Sequence, residues 1–253
     1  MKLEVTQSKI HLFEKCGRAF QFRYLEGVIV PPAAALTVGR SVDHGITTNL
    51  EQKINTKTDL PLSDVIDATT TIFEKEKPDT NWQDEDPGKQ KDIAVSLVTA
   101  HHEQMAESIK PLFVQKKLEH ELEDFKLSGT LDLIEEDGTI ADSKTAKSAY
   151  DMDSVGKSLQ PAVYSYLYKE NFGKEAKGFR YDVLVKPTKT LPVRAQRILS
   201  AVSNTQKEMA LKRANVLTAA VRSGVFHYAP DDSWYCSAKW CGFWQKCERG
   251  GKP

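Results

Sequence analysis

Residues Leu127–Lys147, LSGTLDLIEEDGTIADSKTAK, decide how this chain folds. They read as two short strands joined at Glu136-Asp137-Gly138, a turn whose glycine can take a positive φ. If those residues form the loop, Glu135 pairs with Thr139, and counting back sets Asp132 opposite Asp142. Side chains alternate along a strand, so Lys144 shares the face of Asp142 with Thr130, Ile134 and Ile140. Leu131, Leu133 and Ala141 then point the other way, into a core. A shorter loop at Asp137-Gly138 would send the two aspartates to opposite faces, so the register is a real test.

Two carboxylates at cross-strand distance repel each other unless something positive sits between them. A hard divalent cation with oxygen ligands fits, and Mg²⁺ typically takes one or two carboxylates plus substrate phosphate oxygens. A lysine beside such a metal can hold the attacking water and offset charge building on a phosphoryl group. Taken alone, Asp-x-Lys on a hairpin reads equally as an ordinary surface ion pair.

Further pieces lie on either side. Gly39-Arg40-Ser41-Val42-Asp43-His44 falls in a predicted helix over Leu36–Leu50 and places an imidazole upstream of the hairpin. Downstream, Gln160 and Tyr164 stand at i, i+4 and share one helix face, with Tyr168 a turn further on. In this order the chain resembles the RecB-like nucleases of the PD-(D/E)xK superfamily: GxxxxH at Gly39–His44, GxxDxI at Gly129–Ile134, DxKT at Asp142–Thr145 and QxxxY at Gln160–Tyr164. The resemblance implies a restriction-endonuclease-like α/β fold, a mixed sheet flanked by helices. It also implies metal-dependent cleavage of DNA, exonucleolytic in type. Asp132 and Asp142 would hold Mg²⁺ or Mn²⁺ with the Ser143 carbonyl, and His44 would serve a second metal. Lys144 would position or activate the water, and Gln160 and Tyr164 would orient Lys144 or the scissile strand.

The chain has four cysteines, Cys16 near one end and Cys236, Cys241 and Cys247 near the other. MKLEVTQSK carries no apolar run of the kind a signal peptide needs, so a reducing compartment, the cytoplasm, and free thiols are expected. One distant cysteine plus three close together reads as a single four-thiolate metal site. A subset of RecB-like nucleases carries a [4Fe–4S] cluster on this layout, although Cys236-x4-Cys241 is wider than that family's usual spacing. Zinc is the rival occupant, since it too binds four thiolates. The aromatics Trp234, Tyr235, Trp240, Phe243 and Trp244 are expected to wall the thiols.

Formal net charge is zero over 253 residues, so attraction to DNA must come from local distribution. Lys186, Lys189, Arg194, Arg197, Lys207, Lys212 and Arg213 meet one acid, Glu208, in their stretch of chain, which suggests a phosphate-tracking surface or simply a solvated face. Gly156-Lys157-Ser158 ends like a phosphate-binding P-loop but lacks its first glycine, where Asp151 stands. Any helicase or recombination protein would therefore be a partner. No apolar run approaches the length needed to span a bilayer.

One domain over 1–253 is expected, with a helical insertion over 45–113 and a cluster region formed by 6–24 and 234–247. Thr6 or Ser8 caps a helix carrying Ile10, Phe13, Phe20 and Tyr24 inward. His101-His102 reads as a solvated pair. Strands are expected at Val114–Glu123, Phe179–Lys186 and Leu191–Ile198, and a long helix over Ser200–Ser223. Ser158 can cap the helix bearing Gln160, leaving Pro161 in the first turn. Two competing readings remain: a nuclease-like module that binds DNA or a partner without cutting, and a structure-specific endonuclease.

Overall fold

The computed structural model describes residues 2–151, 155 and 157–250; Gly156 of the Gly-Lys-Ser sequence lies outside them. A sheet of six strands among the described residues organises the molecule: β1 Leu3–Val5, β2 Pro111–Glu121, β3 Phe125–Glu135, β4 Thr139–Ala146, β5 Gly178–Val185 and β6 Arg194–Ser200. β3 is the hub. One edge carries β2, antiparallel. Its other edge is shared, by β1 in parallel at Phe125–Leu127 and by β4 antiparallel at Leu133–Ile134. β5 follows β4 in parallel and β6 closes the sheet antiparallel to β5. The parallel β4–β5 step needs a crossover, which the helix Leu159–Phe172 supplies.

Two apolar layers cover the sheet. On one face lie α1 Gln7–Lys15, α6 Leu159–Phe172 and α7 Asn204–Ser223, with Ile10, Tyr164, Leu167 and Leu217 packed on Ile134, Ile140, Phe179 and Val183. On the other lie α3 Ala34–Thr56, α4 Leu62–Glu76 and α5 Pro87–Gln104, with Val42, Ile46, Phe73 and Leu97 on Leu133, Ala141 and Leu184. The segment 45–113 thus provides most of one covering layer. β4 and β5, covered on both faces, are buried almost throughout β5 and over the first half of β4.

The N-terminal helix is not continuous. Thr6 caps α1 by accepting from the Lys9 N–H at 3.2 Å. The helix stops at Cys16, whose Sγ accepts from the Ala19 N–H at 3.4 Å and so caps a second, short helix α2, Gly17–Phe20, which runs into a π-helical turn at Gln21–Leu25. Ile10, Phe13 and Phe20 are buried as the periodicity predicts. The β1 strand at Leu3–Val5, too short to show alternation, has no counterpart in the sequence reading. No helix of the described residues is long and apolar enough to cross a membrane.

Candidate active site

The β3–β4 turn has the expected chemistry. Gly138 takes φ +87° and its N–H donates to the Glu135 carbonyl at 2.9 Å, while Asp137 Oδ1 accepts from the Thr139 N–H at 2.9 Å. Ile134 pairs with Ile140 and Leu133 with Ala141, the register obtained by counting. The ladder stops there, one step short of the two aspartates. Asp132 falls between the stretch of β3 paired to β4 and the stretch paired to β1. On the opposite edge, the β2 ladder passes over Gln115, which has φ +49°, between the pairs Val114–Leu133 and Lys116–Leu131. Strict alternation does not hold through Asp132, although the β2 register runs on unshifted there. Leu131 joins Ile134 and Ile140 in the α6-side core instead of pointing with Leu133 and Ala141.

Asp142 is 2% exposed. Its Oδ1 accepts from Gln160 Nε2 at 2.6 Å, and its Oδ2 meets Lys144 Nζ at 2.5 Å with no aligned hydrogen bond to any side chain. Burial, then the charges of Asp142 and of Asp43 on α3, push the Asp132 carboxyl well above the usual carboxylate range. Asp43 is raised as well, by burial and by Asp142. Burial alone would lower the Lys144 ammonium, but Asp142, and behind it Asp132, hold it above its ordinary value. Three carboxylates therefore converge on one ammonium.

The α6 side of this group is fixed by a chain of polar contacts. Tyr181, the β5 partner of Asp142, shares a hydrogen bond with Ser158 at 2.9 Å and donates from Oη to Gln160 Oε1 at 3.4 Å. Burial pushes its phenol up to about 12. Tyr164 is buried beside Gln160 and also raised by burial. A Cβ at Gly129 would stand 2.9 Å from the Tyr164 ring, so the glycine of GxxD lets α6 approach the strand. Lys144 lies between two clefts of about 300 Å³ each. One is lined by Arg40, Asp43, Asp132 and Ser143, the other by Tyr150, Ser158, Gln160 and Tyr181.

Of the residues singled out by sequence, Asp132, Asp142, Ser143, Lys144, Gln160 and Tyr164 are brought together. His44 is exposed on α3, and the side chain of that helix that faces Asp132 is Asp43. The signal was available: Asp43 is i+4 from Gly39, on the helix face that packs against Thr145. Tyr181 gave no signal, because its place depends on the parallel β4–β5 pairing; Ser158 stands at the N-cap of α6 as expected, but its hydroxyl turns to Tyr181 and makes no capping bond.

The basic stretch divides. Arg197 is structural: it donates to Asp182 at 3.3 Å, to Ser108 Oγ at 2.7 Å and to the Met105 carbonyl at 2.9 Å. Lys207 pairs with Glu175 and Arg213 with Glu14. Lys189 and Arg194 are exposed, and Lys186 lies near Lys147, a second cation. Beneath them, Arg180 clasps Asp182 through two bonds of 2.9 Å and meets Glu135 at 2.6 Å. His101, expected in solvent, is 2% exposed with Nε2 unpartnered, because α5 turns it onto the sheet beside Asp182. His102 Nε2 lies 2.8 Å from the Leu60 carbonyl.

The four cysteines gather where the chain ends meet. Cys16, Cys236 and Cys241 line one cavity of about 220 Å³, and Cys247 packs with Cys16 and Cys241 against Ala19, Phe22 and Phe243. Burial, offset by the Phe243 N–H, and then the other three thiols raise the Cys241 thiol. The expected aromatic wall forms only in part: Phe243 is buried on Phe22, but Trp234 and Trp240 are 69% and 56% exposed. Among the described residues, no group of three or more His, Cys, Asp or Glu side chains stands in metal-holding geometry.

The model of the PD-(D/E)XK nuclease superfamily matches residues 4–248. Among solved structures, a candidate exonuclease from Eubacterium rectale superposes with a TM-score of 0.62 at 16% identity, over 88% of this chain and 83% of that one. Another, named SSO0001, is 12% identical over 97% of this chain and 95% of that one, with a TM-score of 0.40, too low to support any argument. No curated protein matches the chain.

Proposed function

Because the chain belongs to the PD-(D/E)XK nuclease superfamily, we propose that its acidic cleft hydrolyses phosphodiester bonds of DNA with Mg²⁺ or Mn²⁺, working from an end. The observation that carries this reading is the buried group Asp43, Asp132 and Asp142 around the single ammonium of Lys144. A buried excess of carboxylate is costly unless a cation enters, and an all-oxygen donor set suits Mg²⁺ or Mn²⁺. Asp132 and Asp142 would hold it with the Ser143 carbonyl, and we take Asp43 rather than His44 as the contribution of α3. When bound, such an ion polarises a phosphoryl oxygen and makes its bound water nucleophilic at neutral pH.

The side chains supply the rest. Lys144, which Asp142 holds above its ordinary pKa, would position or activate the attacking water and offset charge on the phosphoryl oxygens. Gln160 donates to Asp142 Oδ1 and leaves Oδ2 turned to Lys144. Tyr181 and Ser158 hold Gln160 in turn. The end-directed part of the reading follows the motif order Gly39–His44, Gly129–Ile134, Asp142–Thr145 and Gln160–Tyr164, and the name of the Eubacterium rectale protein agrees with it.

We further propose that Cys16, Cys236, Cys241 and Cys247 hold a [4Fe–4S] cluster in the cavity between them, with structural Zn²⁺ as the alternative. Cys16, Cys236 and Cys241 line that cavity, Cys247 packs beside it, and Cys241 feels the other three thiols. Such a site would tie α1 to the C-terminal segment. Anaerobically purified protein, assayed on end-labelled linear and closed circular DNA with Mg²⁺, Mn²⁺ or EDTA, tests the reading. Metal-dependent loss of linear DNA alone, with iron bound, is the expected result. Cutting of the circle would make it an endonuclease, full activity in EDTA would remove the metal, and absence of cleavage would favour a binding module.

A further inference from the structure

We propose that Trp234 and Trp240 form a stacking platform for unpaired bases of a single-stranded nucleic acid, with Lys15, Arg23 and Lys239 holding its phosphates. Both indoles are large apolar groups left in solvent, 69% and 56% exposed, and they stand together with ring centroids 5.5 Å apart at 86°. Exposed singly, a tryptophan needs no explanation; two in contact on a segment otherwise tied down do. The platform is anchored. Tyr235, between them in sequence, packs edge-on to Trp234 at 5.7 Å and donates its hydroxyl to the Lys15 carbonyl at 3.1 Å, fixing the segment to the end of α1.

The cations decide the ligand. Lys15 Nζ lies 4.3 Å from the Tyr235 ring and 5.9 Å from Trp234, and Lys239 Nζ lies 5.2 Å from Trp240. Neither ammonium, nor the Arg23 guanidinium lining the same cavity, has a carboxylate partner among the described residues. Aromatic faces beside unpaired cations match the alternation of base and phosphate along a strand. A duplex keeps its base faces stacked internally and offers indoles only edges and backbone, so the match is to a single strand. The choice of nucleic acid as ligand rests on the nuclease reading; the platform itself does not involve Asp132, Asp142 or Lys144.

The test measures binding of a fluorescent single-stranded oligonucleotide, and of a duplex of equal length, to the full chain in EDTA. Trp234→Ala and Trp240→Ala should each weaken single-strand binding about tenfold, the scale of one stacked base, and leave duplex binding unchanged. Trp240→Phe should restore most of the loss, which separates stacking from a folding defect. Lys15→Gln and Lys239→Gln should each reduce the slope of log affinity against log salt by about 0.7. If no DNA is hydrolysed but this tryptophan-dependent binding persists, the nuclease reading fails and the platform stands. Single-strand affinity unaffected by both tryptophan changes, equal losses for single strand and duplex, or a Phe variant as weak as Ala would overturn it and leave the patch to a protein partner.

Discussion

Two buried polar groups sit in the same sheet and are built on opposite principles. Across β3, β5 and β6, Glu135 and Asp182 face Arg180 and Arg197, two carboxylates against two guanidinium groups, although Glu135 Oε1, 2.6 Å from Arg180, has no aligned donor. At the β3–β4 fork, Asp43, Asp132 and Asp142 face Lys144 alone, and one oxygen of Asp142 has no aligned donor. The first is buried almost throughout, while at the fork Asp142 is buried and Asp43, Asp132 and Lys144 are half-buried along the clefts. The first is complete as folded and serves the fold. The second carries surplus negative charge that folding alone does not neutralise, and such a surplus marks a place for a cationic ligand.

Breaking each group in turn gives the largest contrast. Asp142→Ala should lower DNA cleavage by about a thousandfold or more, since it removes the proposed metal-facing oxygen and the anchor of Lys144 together, while the protein stays folded. Arg180→Ala should do the reverse in kind. It strands Asp182 and Glu135 without their shared partner and should cost about 3–5 kcal/mol of stability. Activity per folded molecule would survive. Cleavage assays paired with denaturant unfolding read both; a folded, active Asp142→Ala protein would collapse the distinction between the groups.

How much of this was visible in sequence follows from what each feature depends on. The hairpin register was legible because it rests on local turn chemistry at Glu136–Gly138 and on alternation. The α6 contribution was legible because Gln160 and Tyr164 share a face by helix periodicity alone. The GxxxxH spacing points to His44, which is exposed, and spacing from Gly39 along the helix points to Asp43, which lines the cleft with Asp132. Tyr181 and Arg180 could not be placed, since nothing in the sequence specifies that Gly178–Val185 lies parallel to β4. The same holds for Arg197, which reads as a surface cation until Asp182 is known to lie beneath it. Leu131 packs with Ile134 on the α6 side and Leu133 on the other, because strict alternation does not hold through Asp132, opposite Gln115.

His101 stands where the two groups meet and offers a second, smaller test. It lines a cavity of about 10 Å³ together with Asp43, Asp132 and Asp182, roughly the space of one water. Burial pushes its pKa down to about 4, outweighing Asp182, which raises it; Arg197 and His102 add to the fall and Asp59 opposes it. A histidine depressed in the folded state is protonated more readily when unfolded. Its contribution is therefore intact above about pH 6.5 and is lost as pH falls toward 4, on the order of 3 kcal/mol in all. His101→Leu should flatten that limb of the stability profile in chemical denaturation across pH 4 to 7. An unchanged limb would mean that His101 does not govern the acid response.

The finest test neutralises one carboxylate in each group without removing bulk. Glu135→Gln takes a charge from a balanced set, weakens the contact to Arg180 and should cost about 1–3 kcal/mol. Asp43→Asn takes a charge from an unbalanced set, and the sign should invert. With burial and Asp142 both opposing its ionised form, the metal-free protein should gain stability, a rise in Tm of about 2 °C. The same change should weaken Mn²⁺ binding about tenfold, read by calorimetry without any substrate present. Opposite signs for two isosteric Asx and Glx changes would tie the excess charge at the fork to metal affinity by a measurement that does not involve cleavage. Destabilisation by Asp43→Asn with unchanged Mn²⁺ affinity would instead make Asp43 a packing residue of α3 and reduce the surplus at the fork to the Asp132–Asp142 pair.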